Sequence, residues 1–228
     1  MIILAFDACF GGCSVAVSRD GMCLAAVAVA PGPGQSDMLV STIAETLRRA
    51  DVTIAAVDRI AVTVGPGGFT GVRVGVAAAR ALALATGKPV VAATSLQVMA
   101  AEASARCGDL LAGSTLIVAV DAHRGELYVQ SFDSQGAPLT APHAVTTDDA
   151  SWLPTVGPLL VVGSGAAILV EAAHRQGRDA RIGLPTLLPS AQYLGELAPR
   201  LLPSTVVAPL YLRPPDAKPA SGALPSRA

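Results

Sequence analysis

The segment "IILAFDACFGGCSV" (residues 2–15) returns 114 positions later as "LIVAVDAHRGELYV" (residues 116–129). Ala5 meets Ala119, Asp7 meets Asp121, Ala8 meets Ala122, Gly11 meets Gly125 and Val15 meets Val129. The other strand positions agree in apolar character. Each copy reads as a strand, a glycine turn beside an aspartate, and a returning strand. The turns "SRDG" (18–21) and "DSQG" (133–136) then follow. A β-hairpin therefore opens each half. A spacing of half of the 228 residues points to internal duplication.

Mixed α/β sequence follows each hairpin. Residues 36–50 read as a helix capped by Ser36 or Asp37, with Leu39, Val40, Ile43, Ala44 and Leu47 on one apolar face. Residues 60–64 and 89–93 read as buried strands, and 95–105 as a helix. In the second half, 159–162 reads as a strand ending in "GSGA", and 167–176 and 190–202 as helices. The boundary falls near 107/108, giving halves over 1–107 and 108–213. The Pro-, Ala- and Ser-rich stretch 214–228 is expected to be disordered. Two α/β halves that each open on an Asp-bearing hairpin predict the actin-like ATPase (ribonuclease H-like) fold.

Between a strand and a helix lies "VGPGGFTGVRVG" (64–75). It is not a Walker A loop, and Thr70 stands where G-x-G-x-x-G needs its third glycine. Two readings remain open. In one, Gly67, Gly68, a capping Thr70, Arg73 and the hairpin Asp7 hold an anion or adenylate. In the other, the glycines allow a close-packed turn. Asp7 and Asp121 likewise either flank a cleft or cap their own hairpins. The helix that follows is apolar nearly all round, apart from Arg73 and Arg80 on one narrow stripe. Such a helix needs cover on more than one side. Either it is sandwiched within one domain, or it docks on a second subunit together with the 36–50 helix. The docking reading puts Leu39, Val40, Ile43, Leu47, Val72, Gly75, Val76, Ala79 and Ala83 in the interface. Small Gly75, Ala77, Ala78 and Ala79 would let a partner helix approach. Ala78 and Ala79, about 100° apart, would separate the sheet side from the partner side.

Charged residues are 14% of the chain and hydrophobic ones 52%, a thin polar coat for a monomer. A net charge of −1 argues against direct grip on nucleic acid. Cys9, Cys13, Cys23 and Cys107 form no C-x-x-C pair and read as reduced thiols of a cytoplasmic protein. No signal peptide is read, and Pro154, Gly157, Pro158, Gly163 and Gly165 break the apolar window 150–170, so no membrane span is expected. His123, His143 and His174 have no metal-ligand spacing, and no Gly-x-Ser-x-Gly occurs. The expectation is no catalytic set, no metal and no intrinsic cofactor, with His123 in a solvated turn.

"GPGGFTGVRVG" (65–75) resembles the "GPGSFTGLRIG" signature of the accessory-subunit family of bacterial tRNA threonylcarbamoyladenosine synthesis, the TsaB or YeaZ family. "VDAHRGELY" (120–128) is similar to its "DARRGEVY", "PLYLR" (209–213) to its "P-x-YLR", and "SLQVMA" (95–100) also fits. The resemblance runs to Arg213. It implies an actin-like fold without its active site, and pairing through the first two helices with a catalytic homologue, TsaD, which modifies adenosine beside the anticodon. It further implies an ATPase, TsaE, as a third member, a homodimer when alone, tRNA contact only through the complex, and at most weak ATP or ADP binding there. The chain departs from the family's "DTS" at Asp7-Ala8-Cys9 and from "R-x-HSE" at "GQSD" (34–37). Lost hydroxyls and the lost histidine weaken phosphate and metal readings. The rival is a small-molecule kinase of the same fold.

Overall fold

The computed structural model describes residues 1–32, 34, 38–149, 151–204 and 206–213. Ser36 and Asp37, expected as helix caps, and the stretch 214–228 lie outside them.

The first half begins with β1 (Ile2–Asp7), β2 (Cys13–Arg19) and β3 (Met22–Val29), joined as an antiparallel meander. Helix α1 (Leu39–Arg49) leads to β4 (Arg59–Thr63), α2 (Phe69–Thr86), β5 (Val90–Ala93) and α3 (Ser95–Arg106). The parallel strands β4 and β5 extend the sheet to the order β3-β2-β1-β4-β5. After the short α4 (Gly108–Leu111) the pattern repeats: β6 (Thr115–Asp121), β7 (Glu126–Phe132) and β8 (His143–Thr146) form the meander. Then β9 (Leu159–Val162), α5 (Ala166–Arg175) and β10 (Ala180–Ile182) complete the sheet β10-β9-β6-β7-β8. The two sheets have one topology, as the sequence repeat predicts. The hairpins differ by one residue: Asp7 pairs with Ser14, but Asp121 pairs with Leu127.

Two helices stitch the halves together. Thr94 caps α3 through a capping box, its Oγ1 accepting from Gln97 N at 3.0 Å while Gln97 Oε1 accepts from Thr94 N at 2.9 Å. Leu96, Met99, Ala100 and Ala103 of α3 bury against Leu116, Val118 and Phe132 of the second sheet. Val98, on its other side, packs on the first sheet with Ile3 and Ala5. Helix α6 (Ala191–Leu197) returns from the second half, and its Ala191 and Leu194 join that same first-sheet cluster. A helix apolar on opposite faces, such as α3, needs two surfaces, and the duplicated sheets provide them.

Candidate functional site

Asp7 ends β1 and is buried. The Thr63 hydroxyl donates to Asp7 Oδ1, and Cys9 N donates to Oδ2 at 3.2 Å. Cys9 Sγ in turn donates to Thr63 Oγ1 at 3.3 Å. Burial pushes the Asp7 carboxyl above its ordinary value more strongly than these bonds lower it. The native state thus holds this proton more tightly than the unfolded chain does. Its stabilising contribution is complete below the unfolded value near 3.8 and falls as pH rises towards the raised native value. Asp7→Asn is therefore expected to flatten the stability curve in that window, measured as urea midpoint against pH.

The glycine turn lies directly against this hairpin. A Cβ on Gly67 would stand 2.4 Å from the Cys9 carbonyl oxygen, so only glycine fits there. Gly68 N donates to that same oxygen at 2.7 Å, and Ser95 Oγ donates to Pro66 O at 2.6 Å. Helix α2 is entered from Gly68 with no side-chain cap, and Thr70 is exposed. Arg73 is held elsewhere: its Nε donates to the Tyr211 hydroxyl at 2.8 Å, and its guanidinium sits 3.5 Å from the centre of the Phe69 ring. Of the two readings of this turn, the geometry favours the close-packed one. An amide and a cation assigned to an anion are both bound within the chain, and Thr70 does not cap.

Asp121 caps its own turn, its Oδ1 accepting from His123 N at 2.7 Å. His123 is exposed at φ 61°. Among the described residues, no three His, Cys, Asp or Glu side chains gather as a metal site would require. Cys9, Cys13, Cys23 and Cys107 are unpaired. An open groove of about 260 Å³ runs beside Asp7, walled by Phe10, Cys13, Ser14, Leu188 and Pro189. Sequence reasoning missed Leu188 and Pro189, which come from a segment some 180 residues away with no motif of its own.

Helices α1 and α2 lie side by side on the first half. Of the nine residues expected at a partner interface, Leu39, Ile43, Val72, Gly75, Val76 and Ala79 are buried in the chain's own core. Leu47 and Ala83 are half-buried against that core. Gly75 faces Val62 of β4, so this glycine admits the sheet rather than a second helix. Val40 alone of the nine is well exposed, at 68%. The outward face carries instead Val40, Ala44, Ala77, Ala81, Leu84 and Ala85, with Leu84 90% exposed, together with the exposed Arg73 and Arg80. Ala78, expected to separate from Ala79, is half-buried against the same core.

A family model described as TsaD, tRNA N6-adenosine threonylcarbamoyltransferase, matches residues 35–159. The tRNA threonylcarbamoyladenosine biosynthesis protein TsaB of Escherichia coli K12 is 31% identical over 128 residues, which cover 56% of this chain and 53% of that protein. The aligned part thus spans about half of the E. coli protein. The solved structure of YeaZ from Pseudomonas aeruginosa superposes with a TM-score of 0.79 at 27% identity, over 92% of this chain and 99% of that one. Component A of the (R)-2-hydroxyglutaryl-CoA dehydratase of Acidaminococcus fermentans shares the fold, with a TM-score of 0.50 at 14% identity over 86% and 95% of the two chains. The duplicated α/β halves are the actin-like ATPase fold. With the glycine-turn signature, the family model and the whole-length likeness to YeaZ in agreement, this chain belongs to the TsaB (YeaZ) family of tRNA threonylcarbamoyladenosine biosynthesis proteins.

Proposed function

We propose that this chain is the non-catalytic docking subunit of a tRNA adenosine threonylcarbamoyltransferase complex, acting in the cytoplasm. One observation carries the reading. Helix α2 is so apolar that by length and composition it could cross a membrane, yet only 28% of it is buried within the chain. Its uncovered face, with Val40 and Ala44 of α1, is where a second protein would remove most apolar surface from water. The partner proposed is the catalytic homologue TsaD, joined by the ATPase TsaE. Alone, the same face pairs two copies of this chain about a two-fold axis.

The chain contributes by favouring the partner conformation that binds tRNA and the threonylcarbamoyl donor. It holds no cofactor of its own, and any weak ATP or ADP site belongs to the assembled complex. The kinase alternative finds less support, because Asp7 is bonded to Thr63 and Cys9, and Arg73 to Tyr211. The test is reconstitution. Homologue, ATPase, tRNA and substrates modify adenosine poorly until this chain is added.

A further inference from the structure

The "PLYLR" motif is not explained by docking, and its contacts join the two halves of the molecule. The segment 206–213 leaves the first half along the flank of α2. Val207 is buried in the first core, and its carbonyl accepts from Arg80 Nε at 2.7 Å. Leu210 N donates to Val64 O at 2.7 Å, just past the end of β4. Gly65, at φ 105°, makes this approach possible, since a Cβ there would stand 2.7 Å from Leu210 O. Tyr211 then stacks on Phe69 with ring centres 5.7 Å apart and accepts the Arg73 hydrogen bond. Two residues later the chain has reached the second half. Arg213 Nη2 donates to His123 O at 2.9 Å, its guanidinium pairs with Glu126, and it lies 5.7 Å from the Tyr128 ring centre.

We propose that residues 206–213 are a latch that fixes the second half against helix α2. Arg73 and Tyr211 are the fastening on the first half, and Arg213 is the fastening on the second. The stripe formed by Arg73 and Arg80 exists to hold this segment. Arg73 and Arg80 lie on the exposed side of α2 beside Ala77 and Leu84, but the fastenings they make are within the chain, to Tyr211 and Val207. The distinguishing property of the latch is remote effect. Loosening the fastening on α2 frees Arg213, and the turn over residues 122–126 then opens more often, although nothing in that turn has changed.

The experiment is amide hydrogen exchange on the full chain, comparing wild type with Arg73→Ala and Tyr211→Phe. Arg73→Ala removes one hydrogen bond and one cation–π contact, together worth about tenfold in an opening equilibrium. The amides of Ala122 and Glu126, which bond to Glu126 O and His123 O, are expected to exchange about tenfold faster. The amides of β1 and β6 are expected to keep wild-type rates. Tyr211→Phe, which keeps the ring and loses only the hydroxyl, should show the same pattern more weakly. Wild-type exchange at Ala122 and Glu126 in Arg73→Ala would overturn the latch, whether or not the Leu210 amide is affected. Should Arg73→Ala fail to fold, the same reading on Tyr211→Phe decides.

Discussion

Leu84→Arg is expected to leave the chain folded while weakening its self-association, and its pairing with the catalytic homologue, by about a hundredfold or more. Leu84 lies in the last turns of α2 with 90% of its surface exposed, so the isolated chain loses no core contact. Surface changes of this kind shift stability by within about 0.5 kcal/mol. In a helix-to-helix interface the same guanidinium would be desolvated without a partner. That costs about 3 kcal/mol, a factor of about a hundred in affinity. Light scattering should report a folded monomer, and titration calorimetry a lost or much weakened heterodimer. A Leu84→Arg chain that still dimerises at wild-type concentration would remove α2 from the interface.

Ala79→Arg, five residues earlier, is expected to do the opposite and unfold the chain. Ala79 is fully buried, in the core that contains Val62, Val76 and Ile60. An arginine there combines overpacking with an unpaired buried charge, for a loss of about 4 kcal/mol or more. That is a large share of the ~5–15 kcal/mol by which domains are stable. Little soluble protein, or a urea midpoint far below wild type, is the predicted result. A soluble Ala79→Arg chain with a wild-type midpoint would mean that α2 turns a different face to the sheet.

The contrast between these two substitutions also shows what the sequence reveals. The repeat at Asp7 and Asp121 predicts the hairpin that opens each sheet, though not β3, β8 or β10, and 159–162 is read to the residue, because a buried strand bounded by Gly and Pro leaves little choice. The stripe Leu39, Ile43, Leu47 identifies the buried side of α1. It says that this side is covered, but not by what, and the cover is the chain's own sheet. On α2 only Arg73 and Arg80 mark a side, the exposed one, since alanine, valine and leucine occupy all the others. Only the pairing of Gly75 with Val62 fixes the rotation. Arg73 and Arg80 are visible as a stripe, but their partners, Tyr211 and Val207, lie more than 120 residues away. The glycine turn is likewise explained by the Cys9 carbonyl, a backbone atom that no residue type announces.

The proposed role is service to tRNA modification by docking and not by chemistry at the Asp7 hairpin. The direct measurement is threonylcarbamoylated adenosine formed in the reconstituted mixture, with wild-type chain, Leu84→Arg and Asp7→Asn compared at equal concentration. Asn keeps the shape of the buried carboxyl: its Oδ1 can accept from Cys9 N while its Nδ2 donates to a reoriented Thr63 hydroxyl, so the fold is expected to be retained. Near-wild-type modification with Asp7→Asn, and loss with Leu84→Arg that recovers at high protein concentration, is the predicted result. Modification abolished by Asp7→Asn while the heterodimer still forms at wild-type affinity would contradict the account and place chemistry at Asp7.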